Sequence, residues 1–411
     1  EELVHMGVIV QKYGGTSVAG PARIKNVAQR ICAAADAGNQ VVVVVSAQGD
    51  TTDRLLEMAY AISSDPPKRE LDMLLATGEQ ISISLLAMAI DELGHKVISL
   101  TGAQGGILTD EHHTKAKIRA VNSERITAEL ERGRIVIVAG FQGITSGNDI
   151  TTLGRGGSDT TAVAVAAALK ADVCEIYTDV MGVYTADPRI VSDARLLPEV
   201  GYDEMLELAS LGALILQPRA VEVAAIHGVP LHVRSSFSES PGTMVREVKD
   251  MEKVVSVTGV ASDDNCAQIV LLGLPRELNA LQIVFGRLAE EGINVDMIVK
   301  AQSGPSTNNL SFTVQRSDLQ AALNAIEQLP GSERWKILTN EDVAKVSIVG
   351  AGMMTNPGVA ADMFDALAAE GIPVELVTTS EIKVSCLVPR DMYTAAVAAC
   401  HRKFCLSHTN S

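Results

Sequence analysis

The chain has 411 residues, and its 47 % hydrophobic and 20 % charged content fits a folded protein of about two or three domains. With 34 basic and 50 acidic residues the formal charge is −16, which argues against general binding to nucleic acid or to an anionic membrane. One Trp, six Tyr and six Phe are too few for base-stacking platforms. No uninterrupted apolar run reaches the roughly 18 residues of a membrane span. The acidic start Glu1-Glu2-Leu3-Val4-His5 lacks the pattern of a secretory signal. Six scattered cysteines (Cys32, Cys174, Cys266, Cys386, Cys400, Cys405) with no CxxC pair favour reduced thiols and a cytoplasmic location over a disulfide framework or a zinc site.

In chain order, Val8–Lys12 reads as a strand broken by Gly14-Gly15. Pro21 opens a helix in which Ile24, Val27, Ala28 and Ile31 recur at helical spacing. Val41–Val45, β-branched throughout, predicts a strand buried on both faces. Ile81, Leu85, Met88 and Ala89 mark a further helix. Strands are expected at Val97–Leu100, Ile135–Ala139, Val173–Tyr177 and Val229–Arg234. Buried strands alternating with helices predict a largely parallel sheet covered on both sides. Phe237–Thr243, with its serines, Pro241 and Gly242, reads as a domain boundary.

Beyond that boundary the chain repeats itself. Phe285, Leu288, Ala289, Glu291, Gly292, Ile293 and Val295 recur 79 residues later as Phe364, Leu367, Ala368, Glu370, Gly371, Ile372 and Val374. The first copy predicts a strand at Ile269–Leu274, a helix at Leu278–Glu291, strands at Ile293–Val299 and Leu310–Val314, and a helix at Leu319–Gln328. The second predicts the same order at Ala344–Val349, Val359–Glu370, Ile372–Thr378, Ile382–Leu387 and Met392–Phe404. The order matches a ferredoxin-like βαββαβ unit whose last strand is indistinct. Two adjacent units suit small-molecule sensing, or alternatively a dimer scaffold.

Three segments carry candidate chemistry. In Lys12-Tyr13-Gly14-Gly15-Thr16-Ser17, glycines at a strand end let backbone amides approach an anion, and the preceding lysine can neutralise a transferred phosphoryl group. The lysine precedes the glycines, unlike a Walker loop, and a plain strand-to-helix turn remains an equal reading. In Thr151-Thr152-Leu153-Gly154-Arg155-Gly156-Gly157-Ser158-Asp159, capping explains Ser158 or Asp159. An arginine among three glycines at a helix start reads instead as a carboxylate or phosphate clamp. Tyr177–Arg189 leaves a strand and turns at Asp187-Pro188. There Tyr184 and Arg189 could meet a nucleotide, or the segment could be an ordinary turn.

Together, Lys12–Ser17, Phe141-Gln142-Gly143, Thr152–Asp159 and Tyr177–Arg189 resemble the signature segments of the aspartate kinases in the amino-acid kinase family. Thr378-Thr379-Ser380-Glu381-Ile382-Lys383 and Asn294-Val295-Asp296-Met297-Ile298 are similar to the paired ACT domains that regulate them, and the likeness runs from Val8 to Phe404. The resemblance implies a three-layer α/β/α kinase domain over residues 1–245 and two ferredoxin-like ACT units over 251–335 and 336–411. It implies transfer of the γ-phosphoryl group of MgATP to the β-carboxylate of L-aspartate, the step that opens the route to lysine, threonine and methionine. By position, Lys12 would stabilise the phosphoryl group, with Gly14 and Gly15 offering amides. Ser46, Thr52 and Phe141 would line the aspartate site, and Arg155 would clamp a carboxylate. Ser158 and Asp159 would hold substrate and orient Lys12, while Thr178, Asp179, Tyr184 and Arg189 would hold the nucleotide.

The chain departs from the family pattern at several positions. Leu214 stands where a nucleotide-contacting lysine is usual, and Met181 where a small or acidic residue is usual. The first ACT turn reads Arg276-Glu277-Leu278-Asn279, Lys300 replaces a glutamine, and Pro373 an asparagine. These regulatory departures imply weak inhibition by lysine and threonine. Met251 is placed to start a separate regulatory chain, and ACT units imply a homo-oligomer or an assembly with such a chain. Two alternatives are a non-catalytic amino-acid sensor, motivated by Leu214, and a kinase for another carboxylic acid.

Overall fold

The computed structural model describes residues 7–211, 215–248, 256–276, 279–304 and 306–407. The chain forms two compact units. The first runs to Val183 and adds Leu196–Ser210 and the described residues up to 248. The second takes Tyr184–Arg195, Leu211 and the described residues from 256 onward.

The first unit contains β1 (Val8–Tyr13), α1 (Pro21–Asp36), β2 (Gln40–Val45), α2 (Thr51–Ile62), α3 (Lys68–Leu75), α4 (Thr77–Glu92) and β3 (Val97–Leu100). It continues with β4 (Ile107–Thr109), β5 (Ile118–Val121), α5 (Glu124–Glu131), β6 (Ile135–Ala139), β7 (Gln142–Ile144) and β8 (Ile150–Thr152). It ends with α6 (Gly157–Leu169), β9 (Val173–Thr178), β10 (Glu199–Val200), α7 (Tyr202–Ser210), α8 (Pro218–His227), β11 (Leu231–Ser235) and β12 (Thr243–Val245). An eight-stranded sheet runs β10-β12-β11-β9-β1-β2-β6-β3, parallel at every pairing except β11 with β12. Val41, Val43 and Val45 pack with Ile24, Val27 and Ile31 of α1 and Ile83, Leu86 and Ile90 of α4. The other face of β1 and β2 is covered by α6. The five valines are therefore buried on both faces, as their composition predicts. A small sheet, β5-β4-β7-β8, adjoins the β6 end.

Ile81, Leu85 and Met88 do lie on a helix, but on its exposed side. The buried stripe of α4 is Glu79, Ser82, Ile83, Leu86 and Ile90. The helical stretch Lys68–Glu92 is long and apolar enough by mean hydropathy to cross a membrane, although polar residues interrupt it throughout, and its Leu71, Leu75, Ile83, Leu86 and Ile90 are core residues. Phe237–Thr243 is a hairpin connection rather than a domain boundary, because β12 returns to the sheet with Val233 opposite Thr243.

The second unit contains β13 (Gly259–Asp263), β14 (Cys266–Pro275), α9 (Ala280–Glu290), β15 (Asp296–Gln302), β16 (Thr307–Gln315), α10 (Leu319–Glu327) and β17 (Lys336–Asn340). It then has β18 (Val343–Val349), α11 (Val359–Ala369), β19 (Leu376–Thr379), β20 (Lys383–Pro389) and α12 (Tyr393–Lys403). Its sheets run β15-β16-β14-β17 and β13-β18-β20-β19. The first repeat thus finds its indistinct last strand in β17, beyond the 335/336 division that the repeat suggests. In the second sheet that position is filled by β13, from upstream of the first repeat. The second repeat is thus completed by chain from outside its own segment, so the two share one folding unit. Lys345 Nζ of β18 meets Asp296 Oδ2 of β15 at 2.6 Å.

Candidate active site

Ligands of open parallel sheets collect beyond the carboxyl ends of the strands. Lys12 lies near that end of β1, Ser46 just beyond β2, Phe141 just beyond β6, and Thr178 at the end of β9. The ladder aligns them, with Tyr13 opposite both Val45 and Tyr177, and Val45 opposite Ala139. The Ser46 amide donates to Tyr13 O at 3.1 Å and the Gly140 amide to Val45 O at 3.0 Å. The Tyr13 and Tyr177 rings stack 4.7 Å apart, tying the lysine strand to the Thr178 strand.

At this end Lys12 Nζ pairs with Asp159 Oδ1 at 2.6 Å, each side chain 11 % exposed. Asp159 sits in the first turn of α6, where the helix dipole favours an anion. Lys12 is thereby held beside the glycine turn. Gly15 is required there, because a Cβ would come within 2.6 Å of the Ala47 carbonyl oxygen. Phe141 has φ +66°, and its amide donates to Thr161 Oγ1 of α6 at 3.2 Å. Ser158 is buried beside Asp159. Thr52 occupies the first turn of α2.

Arg155 is exposed between Gly154 (φ +76°) and Gly156 (φ +72°), left-handed positions that favour glycine. The expected kinase-unit residues Lys12, Gly14, Gly15, Ser46, Thr52, Phe141, Arg155, Ser158 and Asp159 thus lie on strand ends, loops and helix starts of one unit.

Thr178 Oγ1 donates to Asp179 Oδ1 at 3.2 Å. Tyr184 and Arg189 fall in the segment grouped with the second unit, and Arg189 Nη2 pairs with Asp187 Oδ2 at 2.7 Å. Met181 is exposed. Leu214, Glu277, Leu278 and Met251 lie outside the described residues.

Sequence reasoning missed Glu79. It is 2 % exposed, and its Oε1 accepts the Ala47 amide at 3.0 Å. Its Oε2 is buried with no hydrogen-bond partner among the described residues. Burial pushes its carboxyl up to about 7, against the lowering effect of the Ala47 hydrogen bond. The signal was present: Glu79, Ile83, Leu86 and Ile90 share one helical face, and a carboxylate on a core stripe marks a polar demand inside the fold.

In the second unit, Lys300 lines a small recess with Leu274, Pro275, Ala280, Leu281, Asn308 and Leu310. Asn279 precedes α9, the Arg276 amide donates to Ser306 O at 3.0 Å, and Pro373 is exposed between α11 and β19.

A buried lysine, steered by a helix-borne aspartate beside close-packed amides, suits an anionic group in flight. Together with the paired ferredoxin-like sheets of the second unit, this fits the class of small-molecule kinases that carry a sensing module. Residues 7–235 match the amino acid kinase family, and residues 273–329 and 346–404 match the ACT domain. The chain is 52 % identical over 403 residues to the aspartokinase of Bacillus sp. (strain MGA3), covering 98 % of each chain. It is 51 % identical over 403 residues to aspartokinase 2 of Bacillus subtilis (strain 168), again covering 98 % of each. The solved aspartate kinase from Synechocystis is 42 % identical with a TM-score of 0.55, covering 98 % of this chain and 70 % of that one. The fold of E. coli aspartokinase III, solved with aspartate and ADP, matches with a TM-score of 0.79 at 24 % identity, covering 96 % and 99 %. The chain belongs to the amino acid kinase family, in its aspartokinase branch. Its reaction is the phosphorylation of aspartate, with the γ-phosphoryl group of ATP passing to the β-carboxylate.

Proposed function

We propose that the Lys12–Asp159 pair is the centre of phosphoryl transfer, and the observation that carries this is their buried 2.6 Å contact at the sheet's carboxyl end. The acceptor carboxylate is already ionised at neutral pH, so no general base is needed. Catalysis is then positioning plus charge stabilisation. Lys12 spreads the charge of the group in transfer, Asp159 aims Lys12, and the Gly15 amide faces the phosphates, the Gly14 amide donating to Tyr177 O at 3.4 Å. Arg155 clamps a carboxylate of aspartate, with Ser46, Thr52, Phe141 and Ser158 around it. Glu79 supplies the anion for the ammonium group, since a buried carboxylate with a free oxygen is stabilised by an adjacent cation. Thr178, Asp179, Tyr184 and Arg189 serve the nucleotide. Asp179, exposed just beyond β9, would hold an ATP-borne Mg2+ through its carboxylate oxygens, and the cation would supply neutralisation of the phosphate charge.

The ACT pair binds amino-acid effectors weakly, because Lys300 places a cation on the recess where a ligand ammonium would sit. Assembly through the ACT units, alone or with a chain begun at Met251, and a cytoplasmic location belong to the same proposal. The location rests on the unpaired thiols, five of the six being buried.

Hydroxylamine trapping of the acyl phosphate, with aspartate, glutamate and related acids as acceptors, tests the acceptor assignment. Signal with aspartate alone is expected. Equal signal with glutamate overturns the pocket assignment, and amino-acid binding with no signal from any acceptor makes the chain a sensor.

A further inference from the structure

Arg155 is exposed on a glycine-flanked loop, yet a clamp must be held still to discriminate. The structure shows what holds it. Asp72, on α3, is fully buried. Its Oδ1 accepts the Thr152 hydroxyl, three residues before Arg155. Both its oxygens accept the Thr114 amide, at 3.1 and 3.0 Å, and its Oδ2 lies 2.8 Å from His113 Nδ1. Thr114 is held at φ +68°, a left-handed geometry costly for a β-branched residue. In that geometry its carbonyl oxygen lies 3.1 Å from where a Gly154 Cβ would stand, so the 113–116 loop walls in the residue next to Arg155.

The other side of the loop is pinned by α8. Arg219 Nη1 donates to Leu153 O at 2.9 Å and Nη2 to Ala116 O at 3.1 Å, while the Ala116 amide donates to Thr152 O at 3.0 Å. Thr152, Leu153 and Gly154 are thus gripped on one side by the buried Asp72 with the half-buried Thr114 and on the other by the half-buried Arg219, groups not seen to bond Lys12 or the glycine turn. Nothing in core packing asks for a carboxylate at Asp72, where an apolar residue would avoid the desolvation cost.

We propose that Asp72 is the positioning residue for Arg155, acting through Thr152 and the Thr114 wall, with Arg219 as the opposing pin. The proposal rests on the reading of Arg155 as the carboxylate clamp. A loop misplaced by about an ångström loses the bidentate fork, a change that can cost one to two orders of magnitude. Lys12 and the nucleotide groups stay where they are.

The test is steady-state kinetics on the full-length enzyme carrying Asp72→Asn, Arg155→Ala and both. Asp72→Asn keeps the size but turns an NH2 group toward the Thr114 or His113 donors. The expected result is an aspartate KM raised about tenfold or more, with kcat and the ATP KM changed less than about threefold. In the Arg155→Ala background the same substitution should add less than about twofold, because its route is already gone. An unchanged aspartate KM, equal rises in both KM values, or full additivity with Arg155→Ala overturns the proposal. If Arg155→Ala alone leaves the aspartate KM unchanged, the clamp reading itself fails, which is a separate result. Should Asp72→Asn not fold, Thr152→Val against Thr152→Ser decides the matter. The serine, which keeps the hydroxyl, should behave as wild type and the valine should raise the aspartate KM; indistinguishable variants sink the idea.

Discussion

Lys12 Nζ on β1 and Asp159 Oδ1 on the first turn of α6 stand 2.6 Å apart across 147 residues of sequence. The contact brings the two glycine-rich segments together and gives a buried carboxylate the counter-charge it needs.

Lys12→Ala should therefore act twice. Removing one preorganised electrostatic donor should lower kcat by about two orders of magnitude or more. Asp159, 11 % exposed at its side chain, loses its counter-charge, so stability should fall as well. Circular dichroism separates the two effects by confirming a folded variant before kinetics are read. Retention of more than about a third of kcat, far from the loss expected of such a donor, would show that the lysine is not catalytic.

Arg155→Lys keeps the charge but loses the planar fork. Aspartate KM should rise about tenfold, equivalent to about 1.4 kcal/mol, with little effect on ATP KM. The reverse pattern would mean that the loop serves the nucleotide.

Glu79 gives a pH dependence of definite sign. Its folded carboxyl titrates at about 7 against an ordinary 4.5, so the folded state holds the proton more tightly. Its effect on stability is complete at low pH and declines as pH rises from the ordinary value through about 7, a loss of about 3 kcal/mol in all. Glu79→Gln should flatten that decline in denaturant titrations. Aspartate binding near pH 6.5 should release a proton, visible by calorimetry in buffers of different ionisation heat. Proton release that persists in Glu79→Gln assigns it elsewhere.

Asp296 faces the opposite way. Burial raises its carboxyl, but the charge and hydrogen bond of Lys345 outweigh burial and hold it below the ordinary range. Its contribution is present above the unfolded value and lost as pH falls through the depressed one, in the acid range below about 4. Lys345 is 7 % exposed and Asp296 51 %. Solvent screening at the aspartate keeps the expected cost of Asp296→Asn near 1–2 kcal/mol at pH 7. Equal midpoints for variant and wild type at pH 7 would leave the pair without a stabilising role.

Lysine and threonine, alone or together, should inhibit weakly at sub-saturating aspartate. Half-inhibition at about a millimolar or less, roughly 4 kcal/mol of binding, contradicts the repulsion assigned to Lys300. If Lys300 is the cause of weak binding, Lys300→Gln should sharpen inhibition several-fold.

Much of this was legible because local chemistry is written locally. Five consecutive valines admit only a strand covered on both faces, and glycines around Lys12 and Arg155 announce backbone that side chains would obstruct. The repeat declared two ferredoxin-like units by self-similarity alone. The buried face of α4 was not legible, because Ile81, Leu85 and Met88 form as good an apolar stripe as the buried one, and a helix with two apolar faces does not say which is inside. Glu79 was missed for that reason.

What the sequence determined by itself is the inventory: the strands, the helices, the glycine turns, the repeated units and the charged residues fit for phosphoryl transfer, each set by propensity and spacing within a few residues. What only the tertiary structure decided is partnership across distance. Asp159 goes to Lys12, Asp72 to Thr152 and Thr114, β13 to the second ACT sheet, and Tyr184–Arg195 to the second unit rather than to the kinase sheet. The physical reason is that a hydrogen bond or ion pair depends on position in space and burial, while nothing in a residue's own neighbourhood encodes which distant group will arrive beside it.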